Sequence, residues 1–398
     1  MEIDFAAWLG LALRWFHLIT GIAWIGSSFY FIWLDNSQTP PADKADKAAG
    51  VTGELWAVHG GGFYHKKKYA VAPAHMPEDL HWFKWEAYFT WISGFLLLSL
   101  VYYYGASVYL IDRAKMDIDP LEATLIGLGF IVGGWVFYDT LCKTAIGKNN
   151  RVFGCIWFAA LTAAAYALNH IFSGRGAYIH VGAIIGTVMA ANVFMVIIPN
   201  QKKVVAALLA GEKPSPQLGI KAKQRSVHNN YMTLPVLLVM ISNHYPMLFG
   251  NADNWLILAG LSASVWPIRQ FFILHHKGKT NYWYPIVGVA GFIGVMLFAS
   301  AGTQPVAATD KVSAAEVRAI IRTHCSACHS DMPTHTGIFA APAGVMFDKM
   351  WEVRKYAAQI REQAVAHDTM PLGNETGMTA EERRKLGAGL AAAEEKKE

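Results

Sequence analysis

The chain has 398 residues, 54% of them hydrophobic and only 16% charged, well below the roughly 25% charged of a typical soluble domain. Its net charge of +5 comes without a basic, aromatic-interleaved patch, which excludes a nucleic-acid partner. Four cysteines are too few for a disulfide scaffold, so the chain reads as a membrane protein.

Apolar runs long enough to cross a bilayer recur at 8–34, 86–106, 121–141, 151–172, 176–199, 231–249, 254–275 and 284–301. No internal repeat is visible. Fourteen tryptophans and sixteen tyrosines suit membrane–water interfaces. The opening "MEIDF" lacks the basic region of a cleavable signal, so span 1 is expected to be retained. The loops after spans 1, 3, 5 and 7 carry most of the Lys and Arg, including Lys66, Lys67, Lys68, Lys148, Lys203, Arg225 and Lys277. The alternate loops hold only Arg113, Lys115 and Arg175. The first set is therefore expected in the cytoplasm, with both termini outside a bacterial cytoplasmic membrane.

Span 1 places Arg14, His17, Gly21, Trp24 and Ser28 on one helical face, a polar stripe that suits a bundle interior. Arg14 equally suits snorkelling to the outer headgroups. Chain direction puts His17, His170, His180 and His244 at similar depth in the outer half, and Asn169 and Asn243 directly precede two of them. Ionisable groups in spans are expensive, so this set is expected to surround a functional centre. Three centres fit: a bis-His haem (haem b), a metal site or a substrate pocket. Helix-to-helix hydrogen bonding is the plain alternative. At the cytoplasmic face "WAVHGGGFYHKKKY" offers His59, three glycines for close backbone approach and three lysines for an anion. It lacks the ending of a phosphate-binding P-loop. Asp139 and Arg269 also fall in the cytoplasmic half.

After Ala301 the character changes. Residues 303–309 read as a linker, and 310–398 as a soluble domain with charged helices. "HCSACHS" carries Cys-x-x-Cys-His, the signature of covalent haem c: Cys325 and Cys328 for the thioethers, His329 as proximal iron ligand. A zinc site lacks a second ligand pair, and a redox dithiol lacks its βαβ setting. Capping boxes Ser313–Glu316 and Thr379–Glu382 open a first and a closing helix. Among the methionines, Met370 in the "DTMPLGN" loop is the expected sixth ligand, and His324, His335 and His367 are expected at the surface. Covalent haem c is attached outside the cytoplasmic membrane, where the loop charges independently put the tail.

"HGGGFY", "LHWFKWEAYFTWISG" and "CSACH…MPLGN" together resemble the membrane-bound, cytochrome c-fused urate oxidases (urate hydroxylases, PuuD type). The resemblance spans essentially the whole chain. It implies oxidation of urate to 5-hydroxyisourate, with electrons leaving through haem c to a downstream cytochrome c or oxidase. The expected fold is all-α: a membrane helix bundle over 1–302, then a class I-like cytochrome c domain. Arg14, His17 and His59 are the expected urate-site residues, lipid the surrounding partner and a homo-oligomer compatible. The rival function is a non-enzymatic subunit passing electrons from quinol to a cytochrome.

Overall fold

In the computed structural model, which describes residues 5–73, 75–301, 312–335, 338 and 340–394, eight long helices form a bundle. They are α1 (Phe5–Asn36), α2 (Trp85–Leu98, running on as a π-helix through Ser99–Tyr103), α3 (Pro120–Lys143) and α4 (Asn150–Ile171). α5 (Gly174–Leu209), α6 (Pro216–Ser242), α7 (Asn254–His275) and α8 (Trp283–Ala301) complete the set. Six of them, all but α2 and α6, are long and apolar enough to cross a membrane. The starts are written locally. Asp119 caps α3 with a full capping box to Glu122 and Pro120 in the first turn. Asn149 and Ser173 accept the first free backbone N–H groups of α4 and α5. The expected linker 303–309 lies outside the described residues.

α5 is the hub. Of its most apolar window 56% is buried, against 6% for α8 and 11% for α1, whose exposed leucines, phenylalanines and tryptophans suit lipid. Around α5 the core closes with Leu168, Phe172, Tyr138, Tyr178 and Ile184. The sixth span differs from expectation. α6 starts well before residue 231, at Pro216, and ends at Ser242; Pro246–Phe249 is a separate short turn of helix. One face of its first half, Ala222, Arg225, His228, Asn229 and Asn230, is buried by protein yet polar, so hydropathy does not register it.

That polar half holds the bundle together. Arg225 Nη2 donates to Asp139 on α3 at 2.7 Å, and Lys143 reaches the same carboxylate at 2.5 Å. Arg225 Nη1 also donates to Asn192 Oδ1 at 3.1 Å. Asn192 opens the π-helical stretch Asn192–Ile197 of α5 and donates to Asn229 Oδ1 (2.8 Å) and the Tyr138 hydroxyl (3.0 Å). Asn229 donates to the Met189 carbonyl at 2.9 Å, and Tyr138 pairs with His228 Nδ1 at 2.8 Å. Arg225 thus belongs to the interior and not to a cytoplasmic loop.

The all-α expectation needs one correction. Val51–His59 (β1) and Gly62–Tyr69 (β2) pair antiparallel between α1 and α2, with His59 opposite Gly62. Gly60 and Gly61 have φ of +57° and +79°, the pair of positive values that a two-residue hairpin turn demands. The glycines make a turn.

The tail packs α9 (Ala314–His324), α10 (Met350–Lys355) and α11 (Ala380–Glu394) around Val317, Ile321, Val353, Leu386 and Leu390. Both capping boxes form. After α10 the chain continues as a short helix Ala357–Ile360 and a π-helical Arg361–Ala366.

Removing the anion of the central pair tests its role. Asp139→Ala leaves Arg225 buried without a carboxylate and should cost about 3–5 kcal/mol, read as a lowered unfolding midpoint in detergent. Adding Arg225→Met should recover most of that loss. An equal loss in the double variant would contradict the pairing.

Candidate functional site

The tail sets its Cys-x-x-Cys-His turn against its own apolar core. Cys325 ends α9, and the backbone N–H groups of Cys328 and His329 both return to the Cys325 carbonyl, at 3.2 and 2.9 Å. The His329 Nδ1–H donates to the Val345 carbonyl at 2.9 Å, which leaves Nε2 with a lone pair for a metal. Phe347 stands beside that ring, and Met350, Tyr356 and Met370 pack against the same core. Both cysteines are free thiols. Burial pushes the Cys325 thiol up to about 12, and Cys328 is raised as well. A redox dithiol needs the opposite, a depressed thiol. Among the described residues no three His, Cys, Asp or Glu side chains are grouped to hold a bare metal ion. The donor set fits a haem.

Arg383 fixes the loop that carries Met370. Its guanidinium donates to the carbonyls of Ala364 and Met370 at 2.5 and 2.6 Å, to Asn374 Oδ1 at 3.2 Å, and pairs with Asp368 at 3.3 Å. The same loop meets the membrane bundle. A Cβ on Gly373 (φ +59°) would stand 3.1 Å from the Ile111 carbonyl, and one on Gly250 only 2.9 Å from Thr369. The Met370 edge of the tail therefore rests on the segments that follow α2 and α6, at Ile111 and Gly250. His324 and His367 are buried rather than at the surface. His324 bridges Thr376 (2.8 Å) and Glu382 (3.2 Å), while His367 lies in the contact with Gly250. His335 is half-buried on Glu375.

The outer histidines are not brought together. His17 donates to the Thr90 carbonyl at 2.9 Å, with Ser93 at 3.0 Å. His180 is fully buried; its Nδ1–H donates to the Gly176 carbonyl at 2.8 Å and its Nε2 accepts from Tyr103 at 3.2 Å. His170 is exposed against Tyr166, and His244 is exposed. The preceding asparagines face inward instead: Asn169 joins Asn254 and Lys115, and Asn243 accepts from Tyr102. One residue is about 100° of helix, enough to turn one neighbour inward and the other out. Arg14 is exposed, but the stripe below it does face the bundle, with Ser28 accepting from Asn230 at 3.3 Å.

The hairpin is no anion cradle. His59 is exposed at its tip. Lys66 donates to Tyr30, Lys67 pairs with Asp46 at 2.7 Å, and Lys68 pairs with Asp35. His65 donates to Glu54 at 2.7 Å and stacks on Trp56.

Residues 4–300 match the family model described as urate oxidase, N-terminal. The chain belongs to that family. No curated protein and no solved structure matches it. The matched region coincides with helices α1 to α8, and the family suggests a urate-related oxidoreductase.

Of the two arginines buried in the bundle, Arg225 has a carboxylate partner and Arg269, among the described residues, has none. Arg269 on α7 is 6% exposed, donates from Nε to Asn230 Oδ1 at 2.7 Å and lies 4.4 Å from the Phe29 ring centre. Among the described residues no carboxylate pairs with it, and its Nη2 has no hydrogen-bond partner. Sequence reading placed Arg269 at this depth but missed Asn230, because residues 225–230 fell in a supposed loop. The signal was there: Arg225 and Asn229 share one face of a helix that continues unbroken into the span.

In the tail, Glu382 carries a testable pH dependence. The Thr379 N–H, then its hydroxyl, then His324 hold this carboxyl down to about 2. A depressed carboxyl contributes stability that is present above its unfolded value, about 4.3, and is lost as pH falls through about 2. Glu382→Gln should lower the tail's stability at neutral pH and flatten its fall across that window. An unaltered acid profile would show that the carboxylate bonds carry no weight.

Proposed function

We propose that this chain is a membrane-bound urate oxidase that converts urate to 5-hydroxyisourate and exports the electrons through a covalent haem c in its own tail. The family match over residues 4–300 supports the substrate. The observation that carries the electron export lies in the tail: a Cys-x-x-Cys-His turn with His329 Nε2 left free by its Nδ1–H bond to Val345. Cys325 and Cys328 would attach the haem, His329 and Met370 would hold its iron, and Arg383 would keep the Met370 loop in place. When bound, such a group supplies a one-electron acceptor whose potential is raised by methionine ligation.

Urate is a planar, electron-rich anion that loses two electrons and a proton before water adds to its ring. The chain's part is to bind that anion in a water-poor site, accept its proton and present the electrons to the tail. Contact between the Met370 loop and the segments that follow α2 and α6 supports transfer through that edge. Loop charges support a tail outside the cytoplasm, from which a cytochrome c or oxidase would take the electrons onward. The quinol-fed alternative has no feature in its favour comparable to the urate oxidase match.

The experiment separates the two parts. Cys325→Ala with Cys328→Ala should abolish haem staining on a denaturing gel and stop urate consumption, while the bundle remains inserted. Gly250→Leu should keep the haem and its chemical reduction but slow urate-driven reduction at least about tenfold, a penalty of about 1.4 kcal/mol in the barrier. Haem-free protein that still consumes urate at the normal rate would refute the electron export.

A further inference from the structure

The bundle handles its two deep arginines differently. Arg225 meets Asp139 at 2.7 Å and Asn192 at 3.1 Å. Arg269 has a neutral amide, an aromatic face and an Nη2 edge with nothing to donate to. A buried cation without an anion is costly, and a protein retains one where a ligand brings the missing charge.

A second orphan lies on the same helix face. His276 follows Arg269 by seven residues, two turns further toward the cytoplasmic end, and its Nδ1 is buried without a partner. Burial first, then Arg269 and His275, hold this imidazole below its ordinary range, so it stands neutral at pH 7. A neutral imidazole can accept a proton, and Arg269 is close enough to be felt there.

We infer that Arg269, Asn230, Phe29 and His276 form the binding site for the urate ring, with Arg269 Nη2 holding its anionic edge and His276 Nδ1 accepting its proton. This deepens the function proposed above and rests on it. Three chemistries converge that a planar purine anion needs: a guanidinium edge, a ring to lie against and a base. In the proton step an N–H bond of urate breaks and one forms on His276, leaving the substrate with one more negative charge beside Arg269. Ser28, which accepts from Asn230, is a positioning residue. The site sits at the cytoplasmic end of α7, among the loops that carry most of the positive charge, so entry from that side is favoured for an anion.

The test uses the full-length haem-loaded protein in detergent, with urate as the probe, read by tryptophan fluorescence and by haem reduction under argon. Arg269→Met should weaken urate binding about 100-fold or more, as loss of a buried charge partner does, while the urate-free protein melts no lower than wild type. Asn230→Asp supplies the counter-charge from within: it should raise the melting temperature and abolish urate binding. His276→Gln should bind urate nearly normally and slow urate-driven reduction about 100-fold or more. If Arg269→Met fails to fold, Asn230→Asp decides alone. Wild-type affinity in Asn230→Asp, or wild-type affinity in a folded Arg269→Met, overturns the site and leaves the urate reaction standing. Wild-type rates in His276→Gln overturn its role as base. If the unmodified protein neither binds urate nor is reduced by it, the proposed function itself falls.

Discussion

A polar side chain buried in a helix bundle is costly unless another protein group answers it. The ion pair of Arg225 with Asp139 meets that demand at the centre. From it run Asn192, Asn229, Tyr138 and His228, joining α3, α5 and α6. The π-helical stretch of α5 begins at Asn192, where the amide is drawn into this network. Buried atoms without a partner remain in the bundle at Trp157 Nε1, His228 Nε2, Asn254 Oδ1, Arg269 Nη2 and His276 Nδ1, and of these only Arg269 carries a full charge with no carboxylate beside it.

Much of the architecture was legible in the sequence. Apolar length located the long helices because lipid-facing surface must be apolar over about 20 residues. The tail's capping boxes and its Cys-x-x-Cys-His turn were legible because each depends on contacts a few residues apart. The interior was not. The buried face of α6 is polar, so its stretch from Arg225 to Asn230 resembles a loop to any reading based on hydropathy. Similar depth suggested a histidine cluster, yet depth says nothing of rotation about the helix axis, and His170 and His244 turn outward. "HGGG" suggested a cradle until strand pairing placed Gly60 and Gly61 at a hairpin turn.

The positions set a geometric problem for electron export. Arg269 lies fifteen residues along α7 from its start at Asn254, which is about 22 Å at 1.5 Å per residue. The Met370 loop rests near that start, against Gly250. A single electron hop does not cover such a depth, so urate bound at Arg269 needs a carrier between itself and the tail. The bundle core holds buried tyrosines, Tyr102, Tyr138 and Tyr178 among them.

The central claim is that urate's two electrons go to the protein's own tail and not directly to oxygen. Anaerobic titration of the purified, oxidised protein with urate tests it most directly, following the haem spectrum and the product together. The account predicts haem reduction under argon, two haems reduced per urate consumed because each tail takes one electron, and little hydrogen peroxide when air is admitted. A haem that stays oxidised, with urate consumed only once oxygen is supplied and one peroxide formed per urate, would contradict it.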